Sequence, residues 1–367
     1  MKCLCFLLFL VIEVLGDQET FLVKNARIRY TTTDSTYQVK RVENLRYFDD
    51  NVVNGTHLKI LRTSAPLVPT IYEGSFRNMK NLRMLQLPAL GITTIEPYAF
   101  KNLSNLDRIQ LQDNNITEIV NNVFNFLPIS QLFLHRNNIK YIQTGAFDSM
   151  PNLHTIKLNK NELKEWDANW FSNTPKLTDI FIRRNHIPYL QENAFKNIRK
   201  LQVGHDDDEN STSIYLSKNK ISTIHPSALS GLVRLNNFYL DRNKLTELPD
   251  TLFFKIESIV SLNLKKNKIK NLSPHMFSTT NSLKILDLTM NALNCIPVEI
   301  ATKAKQVILK DNKIDCNCTA ILKEAVAKTG KENVLKIDNC RRDEMEEDDE
   351  YVDEEDEDDE FDEDEEE

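Results

Sequence analysis

From Leu58 onward the apolar residues keep two rhythms at once. Over short stretches they alternate, as in LDRIQLQDNNI, ISQLFLHRNNI and LHTIKLNKNEL, with Leu or Ile at the first, fourth and sixth positions. Alternation sends one set of side chains to one face of a strand. The stretch then returns at a longer period: Leu58, Leu82, Leu106, Ile129, Leu153 and Leu177 lie 24, 24, 23, 24 and 24 residues apart. LNNFYLDRNKL, IVSLNLKKNKI and LKILDLTMNAL continue the series. One such unit cannot bury its own apolar face, but stacked copies share a continuous core. The pattern predicts short parallel strands ~4.8 Å apart, in about eleven units over residues 58–314.

Two further positions recur. An asparagine closes each strand motif, at Asn114, Asn137, Asn161, Asn185, Asn219, Asn243, Asn267, Asn291 and Asn312. An aromatic follows each unit's start by 18 residues: Phe76, Phe100, Phe124, Phe147, Phe171, Phe195, Phe253 and Phe277, with Leu229 as the one replacement. The LxxLxLxxNx[LI] motif resembles that of the leucine-rich repeat superfamily. The resemblance implies an α/β solenoid, a horseshoe with a parallel concave sheet and capped ends. It also implies that the asparagine amides bond neighbouring backbones and that the phenylalanines stack as a convex spine.

The pattern breaks in three places. The first two units carry Pro66 and Leu90 where Asn is expected, and residues 17–57, with strand-like runs FLVKNARIRY and YQVKRVENLRYF, are expected to cap the first unit. Between Leu201 and Ile214 about ten extra residues intervene, GHDDDENSTS (204–213), polar enough to loop out. At the other end, residues 315–342 carry Cys316-x-Cys318, a helical stretch and Cys340, which resembles the cysteine-rich C-terminal cap of extracellular leucine-rich repeats. Cys295 and Cys316 both lie four residues after a motif Asn. Equivalent positions in stacked units sit ~5 Å apart, within disulfide range. Cys295–Cys316 with Cys318–Cys340 is therefore one connectivity. The family pattern favours the other, Cys316–Cys340 with Cys295–Cys318, and the sequence leaves both open.

The opening MKCLCFLLFLVIEVLGD has a basic residue, an apolar run from Cys3 to Ile12, and Val14 and Gly16 before the expected cleavage, so residues 1–16 read as a secretory signal. Four cysteines then remain, alongside N-x-[ST] sequons at Asn54, Asn102, Asn115, Asn210, Asn271 and Asn317, which together point to a secreted, disulfide-bonded glycoprotein. No apolar run reaches the ~18 residues of a membrane span. Charge is divided. Of the 25 residues from Asp343 to Glu367, all but Met345, Tyr351, Val352 and Phe361 are acidic, whereas residues 17–342 carry a formal +13. The acidic segment has almost nothing to bury and is expected to be disordered. Tyr351, in DDEYVDEE, resembles a tyrosine-sulfation site.

Glycine-rich phosphate loops, HExxH and GxSxG are absent, and no nucleophile–base pair or metal cluster stands out, so an enzyme and a cofactor are not expected. The candidate site is the concave face. Counting the first Leu as one, position five supplies Phe133, Lys157, Phe181, Tyr215 and Tyr239; positions seven and eight supply His135, Arg136, Lys160, Arg183, Arg184, Lys218, Arg242, Lys265 and Lys266. Aromatics beside arginine are interface-anchoring types, and a basic strip attracts polyanions. An extracellular protein or anionic glycan is the expected partner, with no nucleic acid. Relatives by pattern include matrix proteins, adhesion ectodomains and invertebrate immune factors. The alternative is an intracellular protein, similar to the acidic-tailed nuclear leucine-rich repeat proteins that bind histones.

Overall fold

The computed structural model describes residues 21–61, 68–198, 211–330 and 334–338. Its centre is one 14-stranded sheet. Eleven of the strands, from Gly55–Leu61 to Ala304–Ile308, are the repeat strands, added in sequence order and hydrogen-bonded in parallel. Equivalent repeat positions pair across the sheet, as in Leu132 with Ile156 and Ile156 with Ile180. The solenoid is therefore legible residue by residue in the register.

The apolar positions fill the space between this sheet and the convex turns. Leu132, Ile156, Ile180, Ile214, Leu262 and Leu286 are all fully buried. The asparagine at the end of each strand ties successive coils. Asn161 Nδ2 donates to the carbonyls of Leu134 (3.0 Å) and Leu158 (2.9 Å), and its Oδ1 accepts from Ile139 N at 3.0 Å. The same set recurs at Asn137, Asn185, Asn219, Asn243, Asn267 and Asn291. Turn carbonyls buried between coils have no strand partner, and the amide supplies the bonds that would otherwise be missing.

On the convex side the phenylalanines stack. Successive centroids lie 5.8, 5.9, 6.2 and 5.4 Å apart from Phe76 through Phe100, Phe124 and Phe147 to Phe171. Phe48 extends the stack by one ring, 5.4 Å from Phe76. Helix is scarce here. Among the described residues it is confined to the 3-10 turn Ala168–Phe171 and the α-helices Val298–Lys303 and Cys316–Lys328. So the α part of the expected α/β solenoid sits almost wholly at the C-terminal end, and the convex wall is built of tight turns and two-residue bridges.

Ahead of the first repeat strand lies an antiparallel hairpin, Val23–Thr32 with Tyr37–Leu45, whose first strand also pairs antiparallel with Gly55–Leu61. Ala26 and Ile28 point inward and are buried. Gly55 faces a bulge at Thr31/Thr32, where an added Cβ would stand 2.3 Å from the Thr31 carbonyl. At the far end, Val334–Lys336 adds a last parallel strand. The helix Cys316–Lys328 is capped by Asp315, which accepts from Cys318 N at 2.6 Å, and buries Leu322 and Val326.

Cys318 on this helix is bonded to Cys295, with Cα atoms 5.7 Å apart. That is the pairing the family pattern favours; the stacked-position pairing Cys295–Cys316 is not formed. The capped first turn buries Cys318 toward the preceding repeat, whereas Cys316 stays half-exposed at the helix start. Cys316 is itself disulfide-bonded, and Cys340 lies outside the described residues.

One expectation needs correction. The insertion read as 204–213 cannot extend to residue 213, because Thr212 and Ser213 are buried members of the strand Thr212–Tyr215. Ser213 pairs with Asp179, so strand pairing resumes before Ile214. Asn219 bonds Ile182 O at 2.8 Å across 37 residues, keeping the asparagine ladder continuous past the insertion.

Candidate functional site

Position five of successive repeats forms one row across the sheet. Gln110 pairs with Phe133, Phe133 with Lys157, Lys157 with Phe181, Phe181 with Tyr215, and Tyr215 with Tyr239. Strand alternation turns all of them to the face opposite the core. Gln110 is buried, and the other members of the row are half-buried.

Cations pack against the rings of this row. Lys157 Nζ sits 5.2 Å from the Phe133 ring and 5.4 Å from the Phe181 ring, between the two. Arg108 lies over Phe133 at 5.7 Å and Arg183 over Tyr215 at 4.6 Å. Phe181 and Tyr215 stack at 4.4 Å with a 6° interplanar angle, and Tyr239 meets Tyr215 edge-on at 5.1 Å. Asn237 Nδ2 donates to Tyr215 Oη at 3.0 Å. Burial pushes the Tyr215 phenol up, with hydrogen bonds from Ser213 and Asn237 pulling it the other way. Each cation over a ring contributes about 0.5–2 kcal/mol, so the side chains of the row order one another.

Position eight forms a second row with a backbone feature that residue types did not signal. Arg136, Lys160, Arg184, Lys218, Arg242 and Lys266 all have left-handed backbone, φ between 52° and 55°. Their N–H groups bond the position-seven carbonyls of the next coil, as in Lys160 to Arg183 O and Lys218 to Asp241 O, both 2.9 Å. Such φ values disfavour any residue with a Cβ, and Gly, Asn or Asp suffers least. Six consecutive repeats nevertheless carry a long cation there. Lys218→Asn is expected to raise stability by a few tenths to about 1 kcal/mol, read as a higher urea midpoint, while removing one charge from the row. An unchanged or lowered midpoint would contradict a conformational cost at this position.

Position seven is less open than its place in the strand suggests. His135 is only 7% exposed, and its ring lies 6.1 Å from Phe133. Asn159 and Ser217 are also buried; Asn159 Oδ1 accepts from Arg183 N at 2.7 Å, and Ser217 Oγ donates to Asp241 at 2.5 Å. Arg183 and Lys265 are half-exposed. Carboxylates interrupt the face at Asp179, Asp241 and Asp287, and Arg136 pairs with Asp113 at 3.6 Å. The result is two adjoining rows, one aromatic and cationic, one purely cationic, rather than a pocket.

Elsewhere, Asn54, Asn102, Asn115, Asn271 and Asn317 are exposed, as glycan acceptors must be. Asn210 and Tyr351 lie outside the described residues. Among the described residues no group of three or more His, Cys, Asp or Glu side chains is placed to hold a metal ion, and no helix is long and apolar enough to cross a membrane.

Profiles described as the BspA type leucine rich repeat region, in 6 copies, and as the leucine rich repeat match residues 69–202 and residues 209–245 and 233–293. No curated protein matches the chain. Solved structures do. One is the TLR13–ssRNA13 complex, at 22% identity and TM-score 0.51, covering 72% of this chain and 41% of that one. Another is the Toll–Spatzle complex of Drosophila in its glycosylated form, at 20% identity and TM-score 0.45, covering 65% and 40%. At 22% identity the likeness to the TLR13 complex concerns the fold alone, and the chain spans about two fifths of the length of either match.

Proposed function

We propose that this chain, which belongs to the leucine-rich repeat proteins, is a secreted glycoprotein that binds an extracellular protein or anionic glycan through its concave face. The observation that carries the reading is the row Phe133–Lys157–Phe181–Tyr215–Tyr239, in which rings and cations order one another across five repeats. Anchors fixed before binding lose little side-chain entropy on complex formation, which is where affinity is otherwise spent. The secretory opening, the exposed sequons and the Cys295–Cys318 bond support an oxidising, glycosylating route.

The test uses the full chain expressed through the secretory pathway, displayed against arrays of extracellular proteins and glycans, beside the double variant Phe181→Ala/Tyr215→Ala. Loss of two central anchors is expected to weaken a true concave-face partner by roughly 30-fold or more, about 2 kcal/mol. A partner retained equally by the variant sinks the assignment of the face. Expression without N-glycans, with binding only to histones, would move the protein to the intracellular alternative.

A further inference from the structure

We propose that the concave face is occupied in cis by the chain's own acidic segment, Asp343–Glu367, which competes with outside partners for the same cations. This rests on the binding-face reading above and adds its regulation.

The chemistry of the face selects anions. In the position-five row the ring faces are already covered, Phe133 and Phe181 by Lys157, Phe181 and Tyr215 by each other, and Tyr215 by Arg183. A sugar or a quaternary ammonium group needs an open ring face, and these rings offer mainly edges. Ring edges carry the positive end of the aromatic quadrupole. Edges, ammonium groups and guanidinium groups therefore present one sign to a visitor. The position-eight row adds six cations at left-handed backbone, one per repeat from Arg136 to Lys266. The same backbone recurs at Ala89 and Met290, so the fold sets it, and it holds the six cations at one repeating position.

The segment supplies the complementary charge in the required amount. It holds 21 carboxylates in 25 residues, against a formal +13 on residues 17–342. Its point of departure also fits. The last described strand, Val334–Lys336, is the terminal strand of the same sheet. Counting strands along that sheet, Lys265 and Lys266 follow a strand three steps away, Arg183 and Arg184 one six steps away, and Arg136 one eight steps away. At ~4.8 Å per step these are ~14, ~29 and ~38 Å. A 25-residue chain spans at most about 80 Å, so the whole position-eight row is within its length. Tethering places such a segment at an effective concentration of order 1 mM. An acidic segment whose own Kd is ~0.1 mM then weakens any competing polyanion about tenfold. Asp179, Asp241 and Asp287 on the same face lower the affinity of any anion, resident or foreign, and so do not alter the competition.

Two measurements on the full-length chain test this. The first is zero-length carbodiimide cross-linking at ~0.1 M salt, mapped by mass spectrometry. Intramolecular bonds from the 343–367 carboxylates to Lys157, Lys160, Lys218 and Lys266 are expected, and they should vanish near 1 M salt, where the screening length falls to ~3 Å. Bonds confined to convex-side lysines such as Lys101 and Lys255 would overturn the inference. The second compares heparin affinity of the parent with a full-length variant in which every Asp and Glu of 343–367 is changed to Asn or Gln. About tenfold tighter binding is expected, and adding Lys160→Glu and Lys218→Glu should abolish the gain. Equal affinity overturns the resident-competitor idea alone. The earlier reading fails separately, if its partners are indifferent to Phe181→Ala/Tyr215→Ala.

Discussion

Asn185→Ala is expected to cost the fold about 3–5 kcal/mol. The side chain is 3% exposed. Its Nδ2 donates to Leu158 O at 3.0 Å, with longer contacts to Arg183 O and Ile182 O at 3.3 and 3.4 Å, and its Oδ1 accepts from Leu163 N at 3.0 Å. Alanine leaves these backbone groups buried with no replacement partner, and each such group costs about 1–3 kcal/mol. Asn185→Asp is a sharper variant: it keeps shape and acceptor but loses both donors and buries a charge beside carbonyls, so it should be at least as destabilising. Location matters as much as chemistry. A solenoid is held by nearest-neighbour interfaces, so a break in the middle divides the array. The urea transition should broaden as well as shift, and the Leu163 amide should lose hydrogen-exchange protection first. Asn312→Ala, at a half-exposed position near the end, should cost clearly less. A loss under about 1 kcal/mol at Asn185, or equal losses at both positions, would refute the ladder as the tie between coils.

The asparagine ladder could be read from the sequence because its period is rigid and its residue type is rarely chosen for any other reason. The same holds for the phenylalanines at the eighteenth position and for the position-five row, where one register fixes every neighbour. Part of what escaped the sequence lies off the period, and part is backbone geometry that no residue type announces. Phe48 stacks on Phe76 from a segment with no repeat motif. The antiparallel pairing of Val23–Thr32 with Gly55–Leu61 follows from the hairpin's docking, not from its strand-like composition. The left-handed backbone of Arg136, Lys160 and Lys218 was invisible because these residues have no preference for it; the ladder geometry imposes it. The burial of His135 was also hidden, because position seven is buried at His135, Asn159 and Ser217 but half-exposed at Arg183 and Lys265, so the period alone does not decide it.

The other large effect is expected at Trp166, which lies off the period too. The phenylalanine stack runs without interruption from Phe48 to Phe171, then needs help. Trp166 bridges Phe171 (5.7 Å) to Phe195 (5.1 Å) and packs edge-on against Trp170 at 5.6 Å. Beyond Phe195 the spine loses its next phenylalanine to Leu229, and Phe195 meets Phe238 edge-on at 6.5 Å before the stack resumes with Phe253 and Phe277. The tryptophans thus thicken the convex wall on one side of its weakest step. Trp166→Ala removes a fully buried indole, a change that costs about 3–5 kcal/mol. It also strips the Ala194 carbonyl of its 2.6 Å bond from Trp166 Nε1. Trp166→Phe keeps most of the ring and loses only that bond and some volume, so about 1–2 kcal/mol is expected. Because Trp166 lies on the far side of the core from Phe181 and Tyr215, the folded fraction of Trp166→Phe should bind any concave-face partner as tightly as the parent. Urea unfolding gives the first pair of numbers and titration of a partner the second. A Trp166→Ala chain of nearly parental stability would mean that the wall is not what holds these repeats in line, and a Trp166→Phe chain with weakened binding would mean that the two faces are coupled through the core.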